Sequence, residues 1–279
     1  MGGRYGAFTF CDRITEYVPA RRARATFAVP GNLTGFSPCL TAEATGQLAA
    51  WVAMAHIGFR GRPVAALAHD VRMHSEVRPG ETLTLEVDIE ECDDSAVFYQ
   101  GRAHVGGREI VRLIDCLGPM LPQDEYDSAD DLAREFALLC GEGAPPGRFE
   151  GIGPHAMETI DASADSRSAC LHVPVAAPYF VDHFPRRPVF PATLLLDHAI
   201  RVAADLVDAD AAIAAPLRVS QVKNVKMRDF IRPGEDVVLR VTRLAAGDDG
   251  PRVKLEATIG ERKMATAQIA FAQAVLEAA

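Results

Sequence analysis

The chain has 279 residues, 48% hydrophobic and 24% charged, with 22 Gly and 18 Pro. That is the make-up of a protein with apolar cores, and it excludes disordered, collagen-like and disulfide-scaffold chains. Acidic residues outnumber basic ones 38 to 29 for a formal charge of -9, which argues against nucleic acid or an anionic membrane as partner. At about 100 to 200 residues per domain, two domains are expected.

Along the chain, a short strand pattern ends near Val29. Ser37 is placed to cap a helix with Pro38 at its first position, and Leu40, Ala42, Leu48, Trp51 and Met54 carry the helix onward. Arg78, Pro79, Gly80 and Glu81 form a turn, because Pro presets its φ and Gly accepts a positive one. Residues 82–89, 97–105 and 109–117 alternate as half-buried strands. The segment 123–149 reads as a linker, with a short helix over 128–140 capped by Ser128 and stopped by Gly141. A second long apolar helix follows at 191–207, and strands at 236–244, 252–259 and 263–271.

The second half repeats the first. A shift of 154 positions carries Val71, Met73, Arg78, Pro79, Gly80, Glu81, Leu85 and Val87 onto Val225, Met227, Arg232, Pro233, Gly234, Glu235, Leu239 and Val241. The same register joins Phe36 to Phe190 and Leu40 to Leu194. The expected architecture is α+β: an N-terminal unit over 1–122 and a C-terminal unit over 150–279, each a long central helix on an antiparallel sheet, packed as a pseudo-dimer.

The copies differ in the loop before the helix, where site residues commonly sit. From Val173 to Phe190 is 17 steps, but from Val29 to Phe36 only 7, so the first copy lacks about ten residues and the histidine among them. Both helices carry one carboxylate at the matching position, Glu43 and Asp197, and Gln47 or Arg201 stands four residues on.

The run His183-Phe-Pro-x-x-Pro-x-x-Pro, with an acid 14 residues after the histidine, resembles the hotdog-fold (3R)-3-hydroxyacyl-ACP dehydratases, as does Glu43-Ala-x-x-Gln47. The resemblance implies a tandem double hotdog that dehydrates 3-hydroxyacyl thioesters to trans-2-enoyl thioesters in fatty acid, polyketide or polyene synthesis. It implies one complete site, with His183 from the C-terminal unit facing Glu43 from the N-terminal unit. Gln47 would support the acid, the carbonyl of Val189 would orient the imidazole, and backbone N–H groups at Ala192 and Thr193 would face the thioester oxygen. The family pattern has glycine where Ala192 stands. Asp197 would face the shortened loop as a vestige, a structural group or a second acid.

The chemistry fits those residue types, since a neutral imidazole is a competent base near pH 7 and a carboxyl serves as acid once burial raises its pKa. No metal and no redox cofactor are expected, the substrate being carried on the phosphopantetheine of an acyl carrier protein or on CoA. Arg186 and Arg187 either bind that phosphate or an acidic carrier, or are solvated loop charges. The rival functions are a hotdog thioesterase and a non-catalytic acyl-carrier-binding or partner-stabilising protein. A homodimer of the whole chain is compatible with the sequence.

The six cysteines follow no metal-like spacing and read as reduced thiols. Apolar runs fall short of the roughly 20 residues of a membrane helix, and a cytoplasmic location is expected. His56, His69, His74, His104 and His198 carry no motif and read as core or surface groups, and Gly46 as a point of close helix approach.

Overall fold

The computed structural model describes residues 5–210, 216–247 and 250–274. The N-terminal half contains β1 (Arg13–Val18), β2 (Arg22–Ala28), α1 (Pro38–His56), β3 (Gly61–Pro63), β4 (Leu67–Met73), β5 (Thr82–Cys92), β6 (Ala96–Val105) and β7 (Arg108–Pro122). A helix, α2 (Ala129–Cys140), leads to β8 (Met157–Ala162), β9 (Ser166–His172), α3 (Ala192–Asp208), β10 (Leu217–Met227), β11 (Asp236–Gly247), β12 (Gly250–Ile259) and β13 (Arg262–Gln273).

All but β3 of these strands join in one path, β1-β2-β5-β6-β7-β4-β10-β13-β12-β11-β9-β8, with β3 paired to β7. The halves meet at β4 and β10, where Val71 pairs with Val222 and Ala68 with Val225. Shifting by 154 turns each of these pairs into the other, so the seam has the register of a twofold axis. Upstream of the helices the offset is 144: Ala25 pairs with Leu85, and Ala169 with Leu239. The ten-residue difference therefore lies between β9 and α3, in the histidine loop.

The α1 helix starts where Ser37 Oγ accepts from the Leu40 N–H at 3.3 Å, and it lies across β5, β6 and β7, while α3 lies across β9, β10 and β11. Close approach of α1 to the sheet depends on Gly101 of β6, where a Cβ would sit 2.5 Å from Thr45 Cγ2. Gly46 answers a different need from the one its sequence implied. A Cβ there would meet the Tyr99 hydroxyl at 3.3 Å, so it makes room for a side chain from the sheet rather than for the second helix.

The segment 123–149 is more than a tether. Phe136 of α2 packs edge-on to Tyr17 at 5.2 Å and lies 6.2 Å from Trp51, and Phe149 reaches Phe10 at 5.0 Å. These rings bury apolar area in the N-terminal half, and one hydrophobic cluster runs through both halves. Among the described residues no helix is long and apolar enough to cross a membrane.

Candidate active site

The histidine loop begins with a turn of 3-10 helix, Pro178–Val181. The His183 N–H donates to the Tyr179 carbonyl at 2.8 Å, and Phe184 then takes φ of 64°, a left-handed conformation uncommon for a bulky residue. This bend aims the His183 ring into the interior, where Nδ1–H donates to the Val189 carbonyl at 2.9 Å. With that proton placed on Nδ1 by its acceptor, Nε2 presents its lone pair. Burial above all, with a smaller contribution from the Arg62 cation, lowers the His183 pKa from 6.5 to about 4, against the opposing pull of the Val189 bond.

Glu43 comes from the second turn of α1, and its two oxygens are held from opposite halves. Gln47 Nε2 donates to Oε1 at 2.9 Å, while Thr193 Oγ1, 150 residues distant in sequence, donates to Oε2 at 2.8 Å. Burial raises the Glu43 pKa, opposed by the bonds from Gln47 and Thr193 and by Arg62. Gln47 is itself fixed, giving an N–H to the Phe8 carbonyl at 2.9 Å and accepting from the Phe10 N–H at 3.0 Å. Carboxylate, amide and N-terminal backbone form one rigid unit.

The segment around Phe8 also secures the histidine loop. Asp182, buried, accepts from the Tyr5 N–H at 2.8 Å and the Phe8 N–H at 2.9 Å, and the Phe8 ring stands edge-on to His183 at 5.5 Å. No motif or spacing announces this clasp, nor Arg62 on β3, whose guanidinium stacks on the Phe184 ring at 4.6 Å and pairs with the fully buried Asp127 at 3.5 Å. Both partnerships join distant segments through residue types that are unremarkable in sequence.

His183, Glu43, Gln47, Arg62, Ala192 and Thr193 all line one cavity of about 420 Å³. Its remaining wall is mainly apolar, with Trp51, Met54, Val71 and Leu113 from the N-terminal half and Val222 and Met227 from β10. Ala192 and Thr193 open α3, and the residue before them, Pro191, supplies no side-chain cap. The first N–H groups of a helix have no acceptor within it, so this end is suited to hold negative charge.

The matching positions of the other copy are arranged differently. Ser37, which corresponds to Pro191, caps α1; Cys39 takes the place of Thr193; and Asp197 is paired with Arg201 at 2.7 Å. His198 is buried, its Nε2 2.8 Å from His155 Nδ1, and His155 Nε2 lies 3.0 Å from the Tyr179 hydroxyl. Burial is the main reason that the His198 pKa falls to about 3.

Arg186 and Arg187, beside the histidine, are engaged by the linker. Arg186 donates to the Asp124 carbonyl at 2.6 Å, and Arg187 reaches Glu125 Oε2 at 3.4 Å and the Tyr126 hydroxyl at 3.3 Å.

Comparison with known proteins now adds to the geometry. The model of the ApeI-like family, ApeI dehydratase, matches residues 159–268. A 3-hydroxyacyl-[acyl-carrier-protein] dehydratase FabZ of Chlamydia pneumoniae is 25% identical over 133 residues, 46% of this chain and 85% of that protein. A hot dog fold protein of unknown function from Alicyclobacillus acidocaldarius superposes with a TM-score of 0.51 at 13% identity over 94% of this chain and 96% of its own. The 12:0-ACP thioesterase of Umbellularia californica does so with a TM-score of 0.54 at 11% identity over 91% and 94%. The structural likenesses show the hotdog fold and nothing of activity. By sequence the chain is related to the hotdog-fold 3-hydroxyacyl-ACP dehydratases.

Proposed function

We propose that the chain dehydrates (3R)-3-hydroxyacyl thioesters to trans-2-enoyl thioesters at a single site between its halves, with His183 as base and Glu43 as acid. The observation that carries this reading is the shared cavity: His183, with its Nε2 lone pair unencumbered, and Glu43, held by Thr193 across the interface, line the same apolar space. A base, an acid and a dry chamber are what the elimination requires.

The thioester carbonyl lies at the uncapped start of α3, where the N–H groups of Ala192 and Thr193 meet the charge that grows on its oxygen. Nε2 of His183 takes a proton from the carbon beside the carbonyl. The resulting electron pair forms the new carbon–carbon double bond as the C3–O bond breaks. Glu43 delivers its proton to the departing hydroxyl, and water leaves. The cycle closes when the imidazolium proton returns to Glu43, so no net proton is consumed. Gln47 and Thr193 keep the Glu43 carboxyl pointed at C3, and the apolar wall takes the acyl chain.

The thiol carrier is proposed to be an acyl carrier protein or CoA. Arg186 and Arg187 remain exposed while bound to the linker, and they offer positive charge near the loop for a phosphate. A hotdog thioesterase also employs a carboxylate on the central helix, but against water, and its product is a free thiol.

The test is an assay of purified chain with 3-hydroxyacyl and trans-2-enoyl thioesters, followed by enoyl absorbance and by free thiol. Reversible hydration without thiol release is expected, falling at least 1,000-fold in His183→Ala and in Glu43→Gln, losses comparable to those of catalytic acid–base groups. Thiol release instead would establish the thioesterase, and an unchanged rate in either variant would remove that residue from the chemistry.

A further inference from the structure

The outer face of the sheet in the C-terminal half carries a group of side chains with no task in the proposed reaction. Cys170 and His172 are two apart on β9, so both point to one face. The ladders set Glu158 of β8 opposite Cys170, and Asp236 of β11 opposite His172. The donor atoms of Cys170, His172 and Asp236 all lie within 4.8 Å of one another. Asp236 Oδ1 is 2.7 Å from His172 Nδ1, and Glu158 Oε1 is 3.9 Å from Nε2. None of the four lines the reaction cavity. In the first copy the same ladder holds Thr26, Ala28 and Thr82 at the positions of Cys170, His172 and Asp236, so the fold does not require these donors here.

We propose that Cys170, His172 and Asp236 bind a divalent transition-metal ion of the Zn2+ class, with Glu158 as the outer carboxylate and water in the fourth position. One thiolate, one imidazole and one carboxylate are the mixed soft and borderline donors that suit Zn2+ or Co2+ and are poor for Mg2+ or Ca2+. Zinc ligands stand about 2.0 to 2.3 Å from the ion, so the His172–Asp236 pair, 2.7 Å apart, must open slightly to admit it.

The protons balance. Cys170 gives its proton to solvent. His172 binds through Nδ1, and its single N–H moves to Nε2, where Glu158 is the acceptor that fixes the ring. Thiolate and Asp236 together neutralise the two positive charges. A thiol ligates the ion only as thiolate. Loading therefore releases one proton per ion and tightens as the pH rises.

The experiment titrates Co2+ and then Zn2+ into the full chain. Expected are one Co2+ per chain, a near-ultraviolet thiolate-to-cobalt charge-transfer band that Zn2+ abolishes, and release of one proton in calorimetry across buffers. Cys170→Ser should lose the band, His172→Ala and Asp236→Asn should weaken binding at least tenfold, and Glu158→Gln should cost about tenfold, as outer carboxylates do. Cys140→Ser controls for the exposed thiol. No band in the parent chain, or a band that survives Cys170→Ser, overturns the proposal. The dehydration rate should be the same in all these variants, so the outcome is independent of the reaction assigned to the cavity.

Discussion

At the scale of single residues, the site is built from two titratable groups displaced in opposite directions by the same apolar surroundings. His183 is driven toward its neutral form and Glu43 toward its protonated form, so burial alone prepares both for the roles proposed. The pH dependence has a definite sign. The folded His183 holds its proton only below about 4, whereas an exposed histidine holds it up to 6.5. Between those values the unfolded chain binds a proton that the folded chain does not, so this residue makes stability rise with pH across that window. For activity, the acid limb of kcat/KM should lie near pH 4 rather than 6.5, with the basic limb, set by Glu43, above the ordinary carboxylate range. A pH–rate profile whose acid limb falls at 6.5 would show that the ring is not desolvated in the working enzyme. His183, Glu43 and Gln47 were legible in the sequence because motif and helical spacing mark them. Arg62, Asp182 and Phe8 were not, because their contacts join segments far apart in the chain and include backbone groups that carry no residue signature.

Elements were legible wherever local chemistry decides them. Ser37 and Pro38 fix the start of α1, and Gly141 follows α2 directly. The third predicted strand, 109–117, proved longer because β7 runs on to Pro122 along β3, and this extension is set by a tertiary partner rather than by alternation. Likewise, the apolar stripe of α2 was visible, but not the cleft between Tyr17, Trp51 and Phe59 that receives Phe136. The packing of α1 on the sheet makes a sharp prediction. Gly101→Ala places a methyl 2.5 Å from Thr45 Cγ2 and 3.3 Å from the Glu86 carbonyl, and overpacking of this kind costs about 1 to 3 kcal/mol. The denaturant midpoint should fall accordingly, and adding Thr45→Ser should recover part of the loss, since it removes the methyl and keeps the hydroxyl bond to the Thr41 carbonyl at 2.9 Å. An unaltered midpoint in Gly101→Ala would mean that helix and sheet lie farther apart than this.

For the whole molecule, the consequence of joining two related halves is that each can lose what the other supplies. A symmetric pair of hotdogs would carry two equivalent interface sites. Here the histidine loop survives only in the C-terminal half, and the capping asymmetry follows it: the helix end beside His183 is uncapped at Pro191, while the corresponding end of α1 is closed by Ser37. Asp197, 17% exposed, is bound to Arg201, whose side chain is 64% exposed, so one end of the pair is open to solvent and its contribution is small, about 1 kcal/mol. Its carboxylate is engaged by a cation where Glu43 is engaged by an amide and a hydroxyl, and the shortened loop of the first copy carries no histidine to face it. Two measurements follow from one argument. Asp197→Asn should leave kcat/KM within about twofold and stability within about 1 kcal/mol, in contrast to Glu43→Gln. Calorimetric titration with a non-reactive 3-hydroxyacyl thioester analogue should give one binding site per chain, abolished by blocking the cavity with Ala50→Trp and untouched by Asp197→Asn. A stoichiometry of two, or a large loss of turnover in Asp197→Asn, would mean that the second interface works without a histidine, and the division of labour between the halves would have to be abandoned.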